Sequence, residues 1–305
     1  MNVPRNHHYV PQFYLKGFTK RSCVDDALWV CDVLKRRAWQ STPLKSARER
    51  DFYRGDLGPT VDPMWLERVL GNDVEPFMAQ VLEFILDTKA IPPCGLAYEV
   101  FLNFVATSLV RGPSMRTATS TVFHARIQQM VTKLAAVDQG QSRFREALGI
   151  HGNTLEEMLR LNEQGAFNYD FDRITHLKAM IAQVGIALEA FARRTWTIRA
   201  LDDGLPDFVC SDVPVGIIPL AKKVPLVWFD PNALIVMPLD RRTVTLGSVN
   251  ELALPGELEI RHIAHINATT ACGASQVYCS GSEFVVLSRG KVQRVELVVP
   301  VPGTA

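Results

Sequence analysis

Two adjacent histidines, His7 and His8, one aspartate, Asp212, and two arginines, Arg111 and Arg116, are the residues whose types and settings suit chemistry. Imidazole gives and takes protons near neutral pH and ligates metals. A carboxylate orients such a ring or activates water, and guanidinium groups hold phosphate or carboxylate oxygens. If these five converge, the natural reaction is hydrolysis of a phosphate-containing small molecule or nucleotide. The arginines would stabilise phosphoryl charge while His7, His8 and Asp212 activate water. The same positive pocket without turnover would bind an anionic small molecule or a partner. A third reading makes the histidines and Asp212 organisers of the core. The sequence specifies neither a metal nor a cofactor, and it leaves the oligomeric state open.

The histidines belong to the stretch Asn6 to Phe18, N-H-H-Y-V-P-Q-F-Y-L-K-G-F. Pro11 biases Val10 toward extended backbone and has no N–H of its own. Tyr9, Phe13, Tyr14 and Phe18 are too apolar to stay in water, so the segment is expected to be tied to the body of the protein. Adjacent residues of an extended segment point to opposite sides, so one histidine at most faces a given pocket.

Arg111 follows the apolar run Leu96 to Val110, which has the length of a core helix and is too short for a membrane span. Gly112-Pro113 then interrupts, and Ser114 is placed to cap the next helix, whose free amides attract anions. The plainer reading of Arg111 is an internal ion pair, with Glu99 or Asp212 as candidate partners. Asp212 sits in Ser211-Asp212-Val213-Pro214-Val215, where a turn would let its carboxylate accept backbone donors.

Other candidates are weaker. His262 and His265 would share one helix face, but no third ligand and no H-E-x-x-H pattern accompany them, so they read as surface or packing residues. Asn267 reads as a buried hydrogen-bonding side chain. Cys272 and Cys279 read as space fillers without a histidine partner. Ser211 lacks a G-x-S-x-G elbow, and no strand is followed by a glycine fingerprint, which counts against a Rossmann or P-loop site.

The elements that must position these residues fall into three regions. Residues 1–60 read as extended and irregular, with a short strand at Leu28–Cys31, a basic turn at Lys35-Arg36-Arg37 and an irregular connection from Thr42 to Pro63. Residues 61–194 read as helical. Asp62 and Pro63 open a helix carrying Leu66, Val69 and Leu70, and Gly71-Asn72 ends it. Glu75-Pro76 starts another, with Phe77, Val81, Leu82 and Ile85 inward. A helix runs from Ser114 toward Ala136, a loop covers 139–153, and Thr154 with Glu157 has capping-box spacing. A further helix spans Phe171 to Arg194, with Ile174, Leu177, Ile181, Val184, Ile186, Leu188 and Phe191 inward. Residues 195–300 read as rich in strands, at Thr195–Ala200, Asp207–Cys210, Ala233–Leu239, Thr243–Leu246, Phe284–Ser288 and Gln293–Val299, with a helix over Glu259–Cys272. Helices segregated from strands make one α+β domain.

Composition narrows the partners. Among 305 residues, Lys plus Arg number 33 and Asp plus Glu 32, a net charge of +1. That balance argues against non-specific binding of long nucleic acid and favours a small anion. With 47 % apolar residues the chain can bury a core. No run of 18 apolar residues and no secretory signal core are present, so no membrane association is expected. The six scattered cysteines, without a C-x-x-C pair, fit buried thiols in a reducing cytoplasm.

Taken together, His8-Tyr9-Val10-Pro11 with Tyr14-Leu15 and Gly17-Phe18, then Ser211-Asp212-Val213-Pro214-Val215, resemble the family called domain of unknown function 4238. The run Val236 to Asp240, the small-residue helix from Asn267 toward Tyr278-Cys279-Ser280, and the helix pair carrying Arg111 and Arg116 are similar as well. The similarity runs from residue 7 to about residue 280. Such a family, found mostly in bacteria and some fungi, implies one fold over most of the length and no particular activity. Cys210 stands where the family more often has threonine, which alters the hydroxyl neighbourhood of Asp212.

Overall fold

The opening stretch is anchored at both ends. Strand β1 (Asn6–His8) pairs antiparallel with β4 (Arg48–Arg50), placing His7 opposite Glu49. Pro11 then turns the chain into a short helix, α1 (Gln12–Leu15), and a 3-10 turn over Lys16–Phe18. The Tyr14 hydroxyl donates to the Pro238 carbonyl, and the Arg241 amide donates to the Gly17 carbonyl at 3.0 Å. A Cβ on residue 17 would stand 2.9 Å from the Asp240 Cβ, so the close approach of these two backbones requires glycine. The aromatic phrase and the Val236 to Asp240 run are therefore one packing unit.

The structure is a computed structural model that describes residues 5–55, 62–135, 160, 164, 173–220, 227–250 and 256–297. It is α+β, with a helical middle and a strand-rich C-terminal region. Strands β2 (Leu28–Asp32) and β3 (Arg37–Ser41) form a hairpin through the basic turn. The connection read as irregular contains β4, a three-residue strand too short to show a period and defined only by its partner forty residues away.

Helix α2 (Trp65–Arg68) does not end at Gly71-Asn72. A wide π turn over Val69–Val74 carries it into α3 (Glu75–Thr88) without a break. Pro76 cannot donate to a regular ladder, and the wider turn absorbs that gap. Helix α4 (Gly95–Val110) is the expected core helix, with Phe101, Leu102, Phe104, Val105 and Leu109 buried. Helix α5 (Pro113–Ala135) follows after one bend. Helix α6 (Arg173–Ala192) packs on α4 through Leu177, Ala187 and Phe191. Ile181 and Ile186, expected inward, are 46 % and 54 % exposed, because α6 buries only a narrow stripe. By length and composition alone α6 is apolar enough to cross a membrane. The loop at 139–153 and the Thr154–Glu157 cap lie outside the described residues.

The C-terminal region holds β5 (Thr195–Ala200), β6 (Cys210–Ser211), β7 (Gly216–Pro219), β8 (Ala233–Pro238), β9 (Thr243–Ser248), helix α7 (Ile260–Ala271), β10 (Gln276–Cys279), β11 (Glu283–Ser288) and β12 (Lys291–Glu296). Strand β6 is shorter than the expected Asp207–Cys210, since Phe208 and Val209 lie before its ladder begins. Two four-stranded sheets run β3-β2-β10-β6 and β5-β9-β8-β7, and every described pairing is antiparallel. One cluster of buried side chains joins all three regions: Tyr14 and Phe52, then Phe101 and Phe191, then Trp196, Met237 and Tyr278.

Candidate functional site

His7 and His8 do point to opposite sides. His7 is fully buried, and its Nδ1 accepts the Tyr53 backbone N–H at 2.9 Å, with the Tyr53 ring stacked at 5.8 Å. An amide can only donate, so Nδ1 carries a lone pair and the ring proton sits on Nε2. His8 is partly exposed. Its ring lies 3.3 Å from the Leu44 carbonyl and 3.2 Å from the Gln12 amide nitrogen. Burial, aided by Arg48, Arg111 and His7, lowers its pKa to about 4 against the Leu44 hydrogen bond. Both rings are thus neutral at pH 7.

The carboxylate beside His7 comes from α2. Glu67 Oε2 lies 3.9 Å from His7 Nδ1, and burial raises this carboxyl to about 7, with Arg111 pulling it down and Glu75 pushing it up. Because Nδ1 is taken by the Tyr53 amide, the 3.9 Å contact is not an ion pair, which agrees with the high carboxyl pKa. Arg111 is only 3 % exposed and satisfied from three sides. It donates to the Tyr53 hydroxyl at 2.9 Å, to the His8 carbonyl at 2.7 Å and to Glu75 Oε1 at 3.0 Å. Burial opposes its charge, but Tyr53 and Glu75 outweigh that and hold its pKa above the ordinary value. The ion pair expected with Glu99 or Asp212 is therefore made with Glu75. The π turn matters here: in a regular helix, eight residues end about 80° round the axis, and a wider turn brings Glu67 and Glu75 closer into line.

Arg116 turns away from this cluster. Its guanidinium lies 3.9 Å above the Phe52 ring and donates to the Phe52 carbonyl at 3.0 Å. Arg173 on α6 donates to the preceding carbonyl, that of Asp51, at 2.7 Å. Two guanidiniums are thereby held on consecutive carbonyls. Burial lowers the Arg116 pKa, Glu49 raises it, and repulsion from Arg173 lowers it further. Beside them, Arg111, Arg116, Thr119, His176 and Gln183 line a cavity of about 20 Å³, room for one water. The Gln183 amide donates to Thr119 at 3.1 Å across it.

Asp212 forms no hydrogen bond or ion pair with either histidine. It is buried in the expected turn, where Oδ1 accepts the Ser275 and Gln276 amides at 2.9 and 3.2 Å. Ser114, read as a helix cap, instead donates to Asp212 Oδ2 at 3.3 Å. Burial raises the Asp212 carboxyl, while the Gln276 and Ser275 amides and the Ser114 hydroxyl favour its charge. The aspartate thus ties the start of α5 to β10.

The remaining candidates have structural partners. His262 Nδ1 accepts the Glu259 amide at 3.1 Å and caps α7, and His265 is exposed. Asn267 is the buried hydrogen-bonding residue expected, joined to Val209, Asp207 and Val285. Cys279 is buried, but Cys272 is exposed, as are Cys23 and Cys94, so these three fill no space in the core. Among the described residues no group of three or more His, Cys, Asp or Glu side chains could hold a metal ion. Sequence reasoning missed Tyr53, Glu67, Glu75 and Arg173. Only the charged positions beside the apolar stripe Leu66, Val69 and Leu70 hinted at the two glutamates.

No curated protein and no solved structure matches the chain. The profile of one family, described as Protein of unknown function (DUF4238), matches residues 6–282. That span takes in the anchored opening phrase, Arg111, Arg116 and the Asp212 turn, so the chain belongs to this family.

Proposed function

We propose that the protein hydrolyses a phosphate-containing small molecule, with Glu67 as its proton-transfer group. The observation that carries this is the Glu67 carboxyl, 24 % exposed, set against buried His7 and titrating at about 7. A general acid or base works best when its pKa lies near the working pH. His7, locked by the Tyr53 amide, lies 3.9 Å from that carboxyl without bonding it, and Arg111 supplies fixed positive charge near it. Arg116 and Arg173, bonded to the two carbonyls that precede Tyr53, attract the anion toward this segment, since a phosphate between them relieves their mutual repulsion. Asp212 acts here as a positioning residue for the start of α5. Three exposed free thiols support a reducing, cytoplasmic setting.

The test is a screen of p-nitrophenyl phosphate, bis-p-nitrophenyl phosphate and nucleoside phosphates. Turnover is expected, with a rate that follows one ionisation near pH 7 and falls by about 10²–10⁴ in Glu67→Gln. Activity equal in wild type and Glu67→Gln would sink the assignment. The second reading is anion binding without catalysis, favoured by the two guanidiniums held on the adjacent Asp51 and Phe52 carbonyls. It predicts stabilisation by phosphate with no turnover of any of these esters.

A further inference from the structure

The site above leaves unused a second concavity on the far side of sheet β3-β2-β10-β6. Hairpin β11–β12 leans on this sheet, and the two together bury a small core of Ala38, Val277, Cys279, Phe284 and Leu297. That core is incomplete. A cleft of about 420 Å³ opens between the sheet and the hairpin, walled by Val277 and Ala38 on one side and by Phe284, Val286, Val295 and Leu297 on the other. Its size lies within the range of small-molecule sites.

The polar groups at this cleft are few and charged. Arg36 and Arg37, at the end of the β2–β3 turn, and Glu296, near the end of β12, line it. Among the described residues neither arginine has a carboxylate within 4.0 Å, although Lys35 beside them pairs with Asp32 at 3.3 Å. Arg36 holds a left-handed backbone, φ 49°, which side chains other than glycine, asparagine and aspartate seldom adopt. Among the described residues, two guanidiniums without a carboxylate partner and one carboxylate leave the cleft with an excess positive charge over an apolar floor. Phosphate sites need convergent donors in a polar hollow, and this hollow is apolar.

We propose that the cleft binds a single-chain aliphatic carboxylate, its chain lying between Val277 and Val286 and its head on Arg36 and Arg37. Apolar burial supplies the affinity and the arginines orient the chain. Each methylene buried is worth about 0.8 kcal/mol, so each added carbon tightens binding about fourfold until the cleft is filled. The arginines are exposed and add about three- to tenfold together.

The experiment is calorimetric titration of the full chain with octanoate, decanoate and dodecanoate below their micelle concentrations, and with dodecanol. One molecule of dodecanoate per chain is expected to bind, roughly 10²-fold tighter than octanoate. The double variant Arg36→Gln/Arg37→Gln should weaken dodecanoate three- to tenfold and leave dodecanol unchanged, while Glu296→Gln should tighten dodecanoate. Val286→Trp fills the cleft from a partly exposed position and should abolish binding, with circular dichroism confirming the fold. Absence of saturable binding, affinity independent of chain length, or full binding to folded Val286→Trp would overturn the proposal. So would an unchanged dodecanoate affinity in the arginine double variant.

Discussion

The carbonyl oxygen of Asp212 lies 2.1 Å from the point where a Cβ on residue 112 would stand, so the bend between α4 and α5 closes directly onto the Asp212 turn. No side-chain rotation relieves that clash, because both partners are backbone. Gly112 is thus required by close approach, and Arg111 and Arg116 are aimed from either side of it. Gly112→Ala is expected to destabilise the protein by about 3 kcal/mol, at the upper end of overpacking costs. Urea unfolding at pH 7 measures this, and a loss under about 1 kcal/mol would mean the bend shifts freely.

Glu67 predicts a pH signature. Its folded pKa of about 7 stands above the 4.5 of an unperturbed glutamate, so the folded chain holds this proton more tightly than the unfolded one. The resulting stabilisation is full below pH 4.5 and fades as pH rises through 7. Its ceiling is about 3 kcal/mol, from 1.36 kcal/mol per pKa unit. Glu67→Gln, which keeps the shape and cannot ionise, should therefore gain stability relative to wild type as pH goes from 5 to 8.5. Unfolding midpoints that move in parallel for the two proteins would contradict the assignment.

His8 predicts the opposite trend at lower pH. Its folded pKa, about 4, lies below the usual 6.5, so its neutral form favours the folded state above pH 6.5 and that contribution is lost as pH falls through 4. His8→Gln retains a hydrogen-bonding side chain without the charge. The stability of wild type relative to this variant should fall between pH 7 and 4, read from the same titration.

Arg111 tests how much of the cluster is held by paired charge. Truncating one partner of a buried pair costs about 3–5 kcal/mol because the other is left uncompensated. Arg111→Met is expected to fall in that range, since it also strands the His8 carbonyl and the Tyr53 hydroxyl. Adding Glu75→Gln to Arg111→Met should recover part of the loss, and a double-mutant cycle measures that coupling. Additive losses would show that Glu75 contributes no charge to the pair.

What was legible in the chain is what depends on local pattern. The core helix α4, strands β5, β8 and β9 and the anchored aromatic opening follow from apolar periodicity and from Pro11. Strands β4, β7 and β10 are three or four residues long and exist through partners distant in sequence, so no local period marks them. The site divides in the same way. His7 and Arg111 stood out because a buried polar group beside apolar sequence needs an explanation. Glu67 did not, because a glutamate on a short amphipathic helix looks like any solvent-facing one. Its partnership with His7 arises from sixty residues of intervening chain and from a π turn that Gly71-Asn72 disguised as a helix end.

Arg116 and Arg173 give the most direct test of anion recognition. The carbonyls of Phe52 and Asp51 hold them near one another, and among the described residues Glu49 and Tyr53 only partly offset the burial and repulsion that disfavour the charge on Arg116. A phosphate that bridges them binds only the folded state and stabilises it by mass action, by about 2.7 kcal/mol at one hundred times its Kd. Phosphate is therefore expected to raise the Tm of wild type more than chloride at matched ionic strength, which removes general screening from the comparison. Arg116→Gln/Arg173→Gln relieves the repulsion and removes the ligand donors together. It should start from a lower Tm, because the Phe52 and Asp51 carbonyls lose their donors, and show no excess response to phosphate over that baseline. An equal phosphate response in wild type and variant would place the anion elsewhere and leave the two arginines as carbonyl braces between Asp51, Phe52 and the helices.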